Sequence, residues 1–200
     1  EQTSVEETYG EAAAYPYAAG QTKFTRDIAG VETFYDYEAA VEHGAAHKKT
    51  AVTKVGGELA AGQSRKTESF LAANGTVLVE QESVWDGDNW LPLSSGAHEY
   101  DEEGRRTKTT RGNGRVTSTS WMCCGKLSET DEDGILTSYG YNSAHQLVET
   151  IRSEISDGDT VVTPETITTY TRDAAGRVLQ TRRDRGAMTT TESVEYDRLG

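Results

Sequence analysis

Apolar and polar positions alternate along short stretches of this chain. Ile135, Thr137, Tyr139 and Tyr141 fall on one side of a period of two, and Val77-Leu78-Val79-Glu80-Gln81-Glu82-Ser83-Val84-Trp85 is a second alternating run. Successive side chains of a strand point to opposite faces, so this period predicts half-buried strands. An apolar residue also recurs two places after each punctuating residue, at Val77, Val116, Leu127, Leu136, Leu147, Val178 and Met188, with Arg106 as the exception. No stretch carries a convincing helical period. Glu38 to His47 is expected to make one short helical turn at most.

The punctuation is regular. Gly104 to Gly114 is 10 residues, Gly125 lies 11 further on, Gly134 another 9, and 11 more reaches His145. Gly176 to Gly186 and Gly20 to Gly30 are 10 each, and 11 beyond Gly30 is Val41. Such turns leave about 6 to 8 residues between them, which is strand length and too short for ordinary helices. A motif recurs at these points. Tyr196-Asp197-Arg198-Leu199-Gly200 and Tyr100-Asp101-Glu102-Glu103-Gly104 share one form, and Thr130-Asp131-Glu132-Asp133-Gly134 keeps its Asp and Gly. Arg172-Asp173-Ala174-Ala175-Gly176 and Arg26-Asp27-Ile28-Ala29-Gly30 keep them too, with Tyr170 or Phe24 two residues before the Arg. Tyr141-Asn142-Ser143-Ala144-His145 substitutes Asn for Asp and His for Gly, and Tyr37-Glu38-Ala39-Ala40-Val41 is a looser copy.

Glycine supplies positive φ at no steric cost, and an Asp side chain can bond the backbone two residues on. Asp27, Gly30, Asp101, Gly104, Asp131, Gly134, Asp173, Gly176, Asp197 and Gly200 are therefore expected to be turn residues, with Tyr100 and Tyr196 as strand residues supplying bulk. Strands joined by tight turns run antiparallel. The expected fold is all-β, with antiparallel β-hairpin repeats forming a curved, ribbon-like sheet.

The pattern divides the chain into degenerate, irregular repeats over 1–99 and regular ones over 100–200. Residues 38–63 are the least regular, and Tyr15-Pro16-Tyr17-Ala18-Ala19-Gly20 reads as a degenerate first turn. Asp86-Gly87 is a favoured hairpin dipeptide. Pro92 is expected at an edge or in a loop, because it cannot donate to a ladder. The long interval at about 145–176 predicts an extended hairpin with its tip at Ser156-Asp157-Gly158-Asp159.

Composition changes the picture in two ways. Leu, Ile, Val and Phe make up 32 of the 200 residues, below the roughly 20% at which highly charged chains tend toward disorder. The 27 Thr and 10 Tyr favour pleated, half-exposed surfaces instead. An ordered sheet with tyrosine bulk and no thick core is expected. The net charge of −13 argues against nucleic acid and anionic membrane surfaces as partners. No run approaches the ~18 apolar residues of a membrane span. Basic clusters such as Arg105-Arg106 and Arg182-Arg183 read as solvated strand edges, where charge discourages pairing between sheets. The chain opens on Glu and stops at the Gly of a motif, which suggests a piece of a longer polypeptide.

Candidate chemistry is sparse. Cys123-Cys124 is the most unusual pair: adjacent Cα atoms lie about 3.8 Å apart across a trans peptide, below the range usual for disulfides. Thiols in a repeat turn, a redox or vicinal disulfide pair, and a metal site remain three readings of them. His43, His47, His98 and His145 are scattered and supply no spaced metal motif. Asp131-Glu132-Asp133-Gly134 and Asp86-Gly87-Asp88-Asn89 lack the ligands of a full calcium loop. No Gly-x-Ser-x-Gly elbow, Gly-rich phosphate loop or zinc-hydrolase His pair occurs. No catalytic residue, metal or cofactor is expected. Trp85, Trp90 and Trp121 either cover one face of a thin sheet or form a sugar-binding platform.

Tandem Tyr-Asp-x-x-Gly turns between strands of about this length resemble the RHS/YD-repeat family. The stretch from Trp121 through Cys123, Cys124 and Gly134 to Asn142 is the closest match; residues 100–200 resemble the family well and 17–99 loosely. The resemblance implies a segment of a hollow β-shell of spiralling hairpins, enclosing a variable C-terminal polypeptide that is often a toxin. It implies an extracellular or cell-surface location, with the remaining repeats and an encapsulated C-terminal domain as partners. An adhesion or binding module for glycan or protein is the alternative. The chain is too short to close a shell, and its prolines, Pro16, Pro92 and Pro164, form no Asp-Pro dipeptide of the kind found in the family's self-cleaving region. Unpaired sheet edges predict edge-to-edge self-association.

Overall fold

A computed structural model describes residues 4–196. The turn residues expected at Asp197 and Gly200 lie outside the described residues. The chain is all-β, with one three-residue 3-10 turn at Pro16–Ala18. Its strands are β1 (Val5–Thr8), β2 (Thr22–Arg26), β3 (Val31–Ala39), β4 (His47–Val55), β5 (Arg65–Leu71), β6 (Val77–Trp85), β7 (Trp90–Tyr100), β8 (Arg106–Arg111) and β9 (Val116–Met122). They continue as β10 (Gly125–Thr130), β11 (Leu136–Tyr141), β12 (Leu147–Arg152), β13 (Ile155–Asp157), β14 (Thr160–Thr163), β15 (Thr166–Arg172), β16 (Val178–Arg185) and β17 (Met188–Ser193). Fifteen of them form one sheet in chain order, β12 pairing directly with β15, while β13 and β14 form a two-stranded sheet of their own.

Two compact units divide the contacts: residues up to Glu99 with Thr109–Gly114, and Tyr100–Lys108 with residues from Arg115 on. In the first unit, Tyr37 of β3 and Phe70 and Leu71 of β5 are buried, together with Ala18 from the 3-10 turn. Tyr37 meets Tyr9 edge-on at 6.0 Å and Tyr17 at 6.2 Å, and Tyr17 stacks on His47 at 3.7 Å. Rings in such arrangements add to the area they bury. Tyr15 bonds the His47 Nδ1, and the Tyr9 hydroxyl donates to the Tyr35 carbonyl at 2.9 Å. On the other face of β4 and β5, Glu68 accepts from Lys48 at 2.8 Å and Lys66 at 2.9 Å. Burial opposes the Glu68 charge, but the two lysines hold its carboxyl below the usual range.

One expectation holds within its bound and two are corrected here. Glu38 to His47 makes no helical turn: β3 runs through Ala39, β4 starts at His47, and the chain reverses between them with His43 at φ 56° and Gly44 at φ 66°. The step counted to Val41 fails for the same reason, and Val41 is almost fully exposed. Pro92 lies within β7, which is hydrogen-bonded to strands on both sides rather than at an edge. The register explains how. Glu82 pairs with Ser94 but Ser83 with Pro92, so Leu93 is an extra residue and Pro92 sits beside a bulge, where a missing N–H is tolerated.

Candidate functional site

The recurrent turn is the feature whose geometry repeats. At Asp27, one carboxylate oxygen accepts from the Ala29 and Val31 amides, each at 2.9 Å, and the Gly30 amide donates to the Asp27 carbonyl at 3.1 Å. Asp131 repeats this with Asp133 and Ile135 at 3.1 and 3.0 Å, and Asp173 with Ala175 and Arg177 at 2.9 and 2.8 Å. Asp101 accepts from the Arg105 amide at 2.8 Å, and Gly104 donates to the Asp101 carbonyl at 3.0 Å. Gly30, Gly104, Gly134 and Gly176 have φ between 78° and 85°, a region closed to most side chains. Asn142 reproduces the pattern through Ala144 and Gln146, with His145 in the left-handed position at φ 59°.

The second carboxylate oxygen is used as well, and sequence reasoning missed this. Arg105 Nε donates to Asp101 Oδ2 at 2.8 Å, and Arg177 Nε to Asp173 Oδ2 at 2.8 Å. At Asp131, where the residue after Gly134 is Ile135, the guanidinium of Arg152 fills the place at 3.0 Å. The available signal was the Gly-Arg dipeptide at Gly104-Arg105 and Gly176-Arg177. Hydrogen bonding by Arg177 holds the Asp173 carboxyl below its usual range. Asp131 is lowered first by the Ile135 amide; at Asp101 burial opposes charge and the Arg105 bonds outweigh it.

The motif's aromatic residue has a directed role beyond bulk. Tyr141 at the end of β11 donates to the Lys126 carbonyl at 3.0 Å, and Trp121 in β9 to the Arg106 carbonyl at 2.8 Å. Tyr196 donates to the Val178 carbonyl at 3.1 Å. Each reaches the start of the preceding strand, where a cation lies over its ring in two cases: Arg105 over Trp121 at 5.7 Å and Arg177 over Tyr196 at 4.5 Å. Tyr100 ends β7 with Arg106 over its ring at 5.9 Å. Four turns are followed by the same irregularity. The registers leave Lys23, Leu78, Val148 and Leu179 as extra residues, each three places after the left-handed Gly20, Gly75, His145 or Gly176. Such bulges increase local twist.

Against known proteins, no family model matches this chain, and no curated protein matches it. Chains of solved structures do match, 38 in number. One is the crystal structure of TcdB2-TccC3, 16% identical over 84% of this chain and 11% of that one, with a TM-score of 0.34. Another is TcdB2-TccC3 without its hypervariable C-terminal region, 15% identical over 82% and 11%, with a TM-score of 0.35. The chain spans about 11% of the length of these two. Likenesses at these TM-scores carry no functional argument; the turn series has to carry it.

Cys123 and Cys124 occupy the two-residue turn between β9 and β10, with Met122 paired to Gly125 beneath them. Cys123 is exposed, Cys124 half-buried, and neither is in a disulfide. Gly125 is therefore not the left-handed residue of this turn, a correction to the spacing argument. It is glycine for another reason. A Cβ there would stand 2.5 Å from the Tyr141 hydroxyl, which crosses it to reach Lys126. Among the described residues, no group of three or more His, Cys, Asp or Glu is placed to hold a metal. Asp86, weighed as a calcium ligand, is engaged by the Asp88 and Asn89 amides at 2.8 and 2.7 Å. Trp85 and Trp90 pair across β6 and β7 with ring centres 5.3 Å apart and planes inclined by 60°, so they do not present one flat platform.

Proposed function

We propose that this chain is a structural, non-catalytic repeat segment of a longer secreted or surface polypeptide of the YD-repeat kind, forming part of a β-shell wall around a C-terminal cargo or toxin. The supporting observation is the self-satisfied turn. At Asp101, Asp131 and Asp173 the Asp spends both carboxylate oxygens on its own hairpin or a nearby strand, so it is a fastening rather than a group held ready for chemistry. Strands paired in chain order suit an extendable wall, since each added hairpin needs only the previous strand. The test is protease protection in the full polypeptide. A segment following the repeats is expected to resist digestion while the protein is native and to be cut after denaturation. Digestion at the same rate in both states, or a parent with no repeats beyond these, overturns the reading.

A second reading, a surface module for glycan or protein, rests on one groove. The bulge at Leu93 opens a cleft of about 500 Å³ lined by Glu82, Ser94, Ser95, Arg111 and Asn113. Glycan-array binding abolished by Ser94→Trp would favour it over the wall.

A further inference from the structure

The turn joining β9 to β10 differs from its neighbours because it holds two thiols where the others hold an Asp cage. Its Cys123 neighbour, with burial adding to it, holds the Cys124 thiol above its usual range. Both sit at a hairpin tip, and Cys123 is exposed. The Arg105 guanidinium donates to the Met122 carbonyl at 3.0 Å, immediately before the pair.

We propose that Cys123 and Cys124 form a two-thiolate chelating site for a thiophilic ion or metalloid. Distances favour this over an internal disulfide. An S–S bond of roughly 2.05 Å usually joins Cα atoms at least about 4.4 Å apart, so adjacent residues about 3.8 Å apart form it only under strain, and the Met122–Gly125 pair pins the turn from below. Two bonds of about 2.3 Å to one tetrahedral centre instead span about 3.8 Å between sulfurs, a separation within reach of side chains on adjacent residues of one turn. A structural zinc site takes four protein ligands. No third donor converges here among the described residues, so the site suits a centre that takes two sulfurs and completes its coordination from another source.

Phenylarsine oxide is a probe with that demand. Each S–H gives up its proton, two As–S bonds form, the As–O double bond breaks, and the oxygen leaves as water; no oxidant is consumed. The experiment is intact-mass analysis and thiol titration of the native chain with this probe. One arsenical per chain, loss of both titratable thiols, and release by a dithiol but not by a monothiol are expected. Cys123→Ser and Cys124→Ser should each weaken binding about 100-fold, the loss that follows when a second attachment is removed. Melting curves of both variants establish that they fold. Equal binding by either folded variant, two arsenicals per chain, or loss of both thiols with no arsenical bound overturns the proposal.

Discussion

Strands β3 and β5 of the first unit bury Tyr37, Phe70 and Leu71, whereas the second unit buries only Thr168 among its described residues. The same strand-and-turn grammar therefore supports two means of cohesion. In the first unit, aromatic rings from positions far apart in sequence gather on β3 to β5, and apolar burial adds to the ladders. In the second, bulk is spread thinly: Val116, Leu127, Leu136 and Met188, the apolar residues two places after the punctuation, are exposed. What fixes the second unit is the closed Asp turn, the Arg that completes it, and the aromatic donor reaching back to the preceding strand. The difference teaches that a repeat needs no thick core when each turn satisfies its own polar groups.

The largest effect should come from the first unit. Phe70→Ala removes a buried ring and should cost about 3–5 kcal/mol in urea unfolding, as large-to-small aromatic replacements do. Hydrogen exchange should show the loss in β4 to β6. A cost below about 1 kcal/mol would end the claim that apolar burial dominates there. In the second unit, Gly125→Ala should cost about 1–3 kcal/mol through overpacking, and Tyr141→Phe in the same chain should recover part of it by removing the blocking hydroxyl. No recovery would show that Gly125 is required for some other reason.

Acid should act more gently. Asp101, Asp131 and Asp173 have folded pKa values below the ordinary 3.8. Their contribution is complete above that value and is lost as pH falls through it toward the depressed folded values. Melting temperature should thus be level from neutral pH to about 5 and fall below about 4. Replacing all three by Asn should lower the melting temperature at pH 7 and flatten the acid limb; an unchanged limb would remove these turns from the account.

Much of this was legible in the sequence because turn chemistry is local. The Asp and Gly spacings carry both the side-chain cage and the left-handed residue, and even His145 was marked by its interval. Three things were hidden because they depend on pairing between distant segments. The Tyr9, Tyr17, Tyr37 and His47 cluster unites residues from separate hairpins. The tolerance of Pro92 depends on a bulge opposite Ser83. Gly125 looked like punctuation, but the Tyr141 hydroxyl requires it to be glycine.

The pairing of Arg152 with Thr166 closes the ladder beneath β13 and β14. Whatever enters between those two residues leaves the sheet through one doorway and returns through it, so the ladder is indifferent to its length and content. This makes the Asp157–Thr160 tip a natural graft point, where a foreign loop or reporter can be displayed while the strands on either side keep their register.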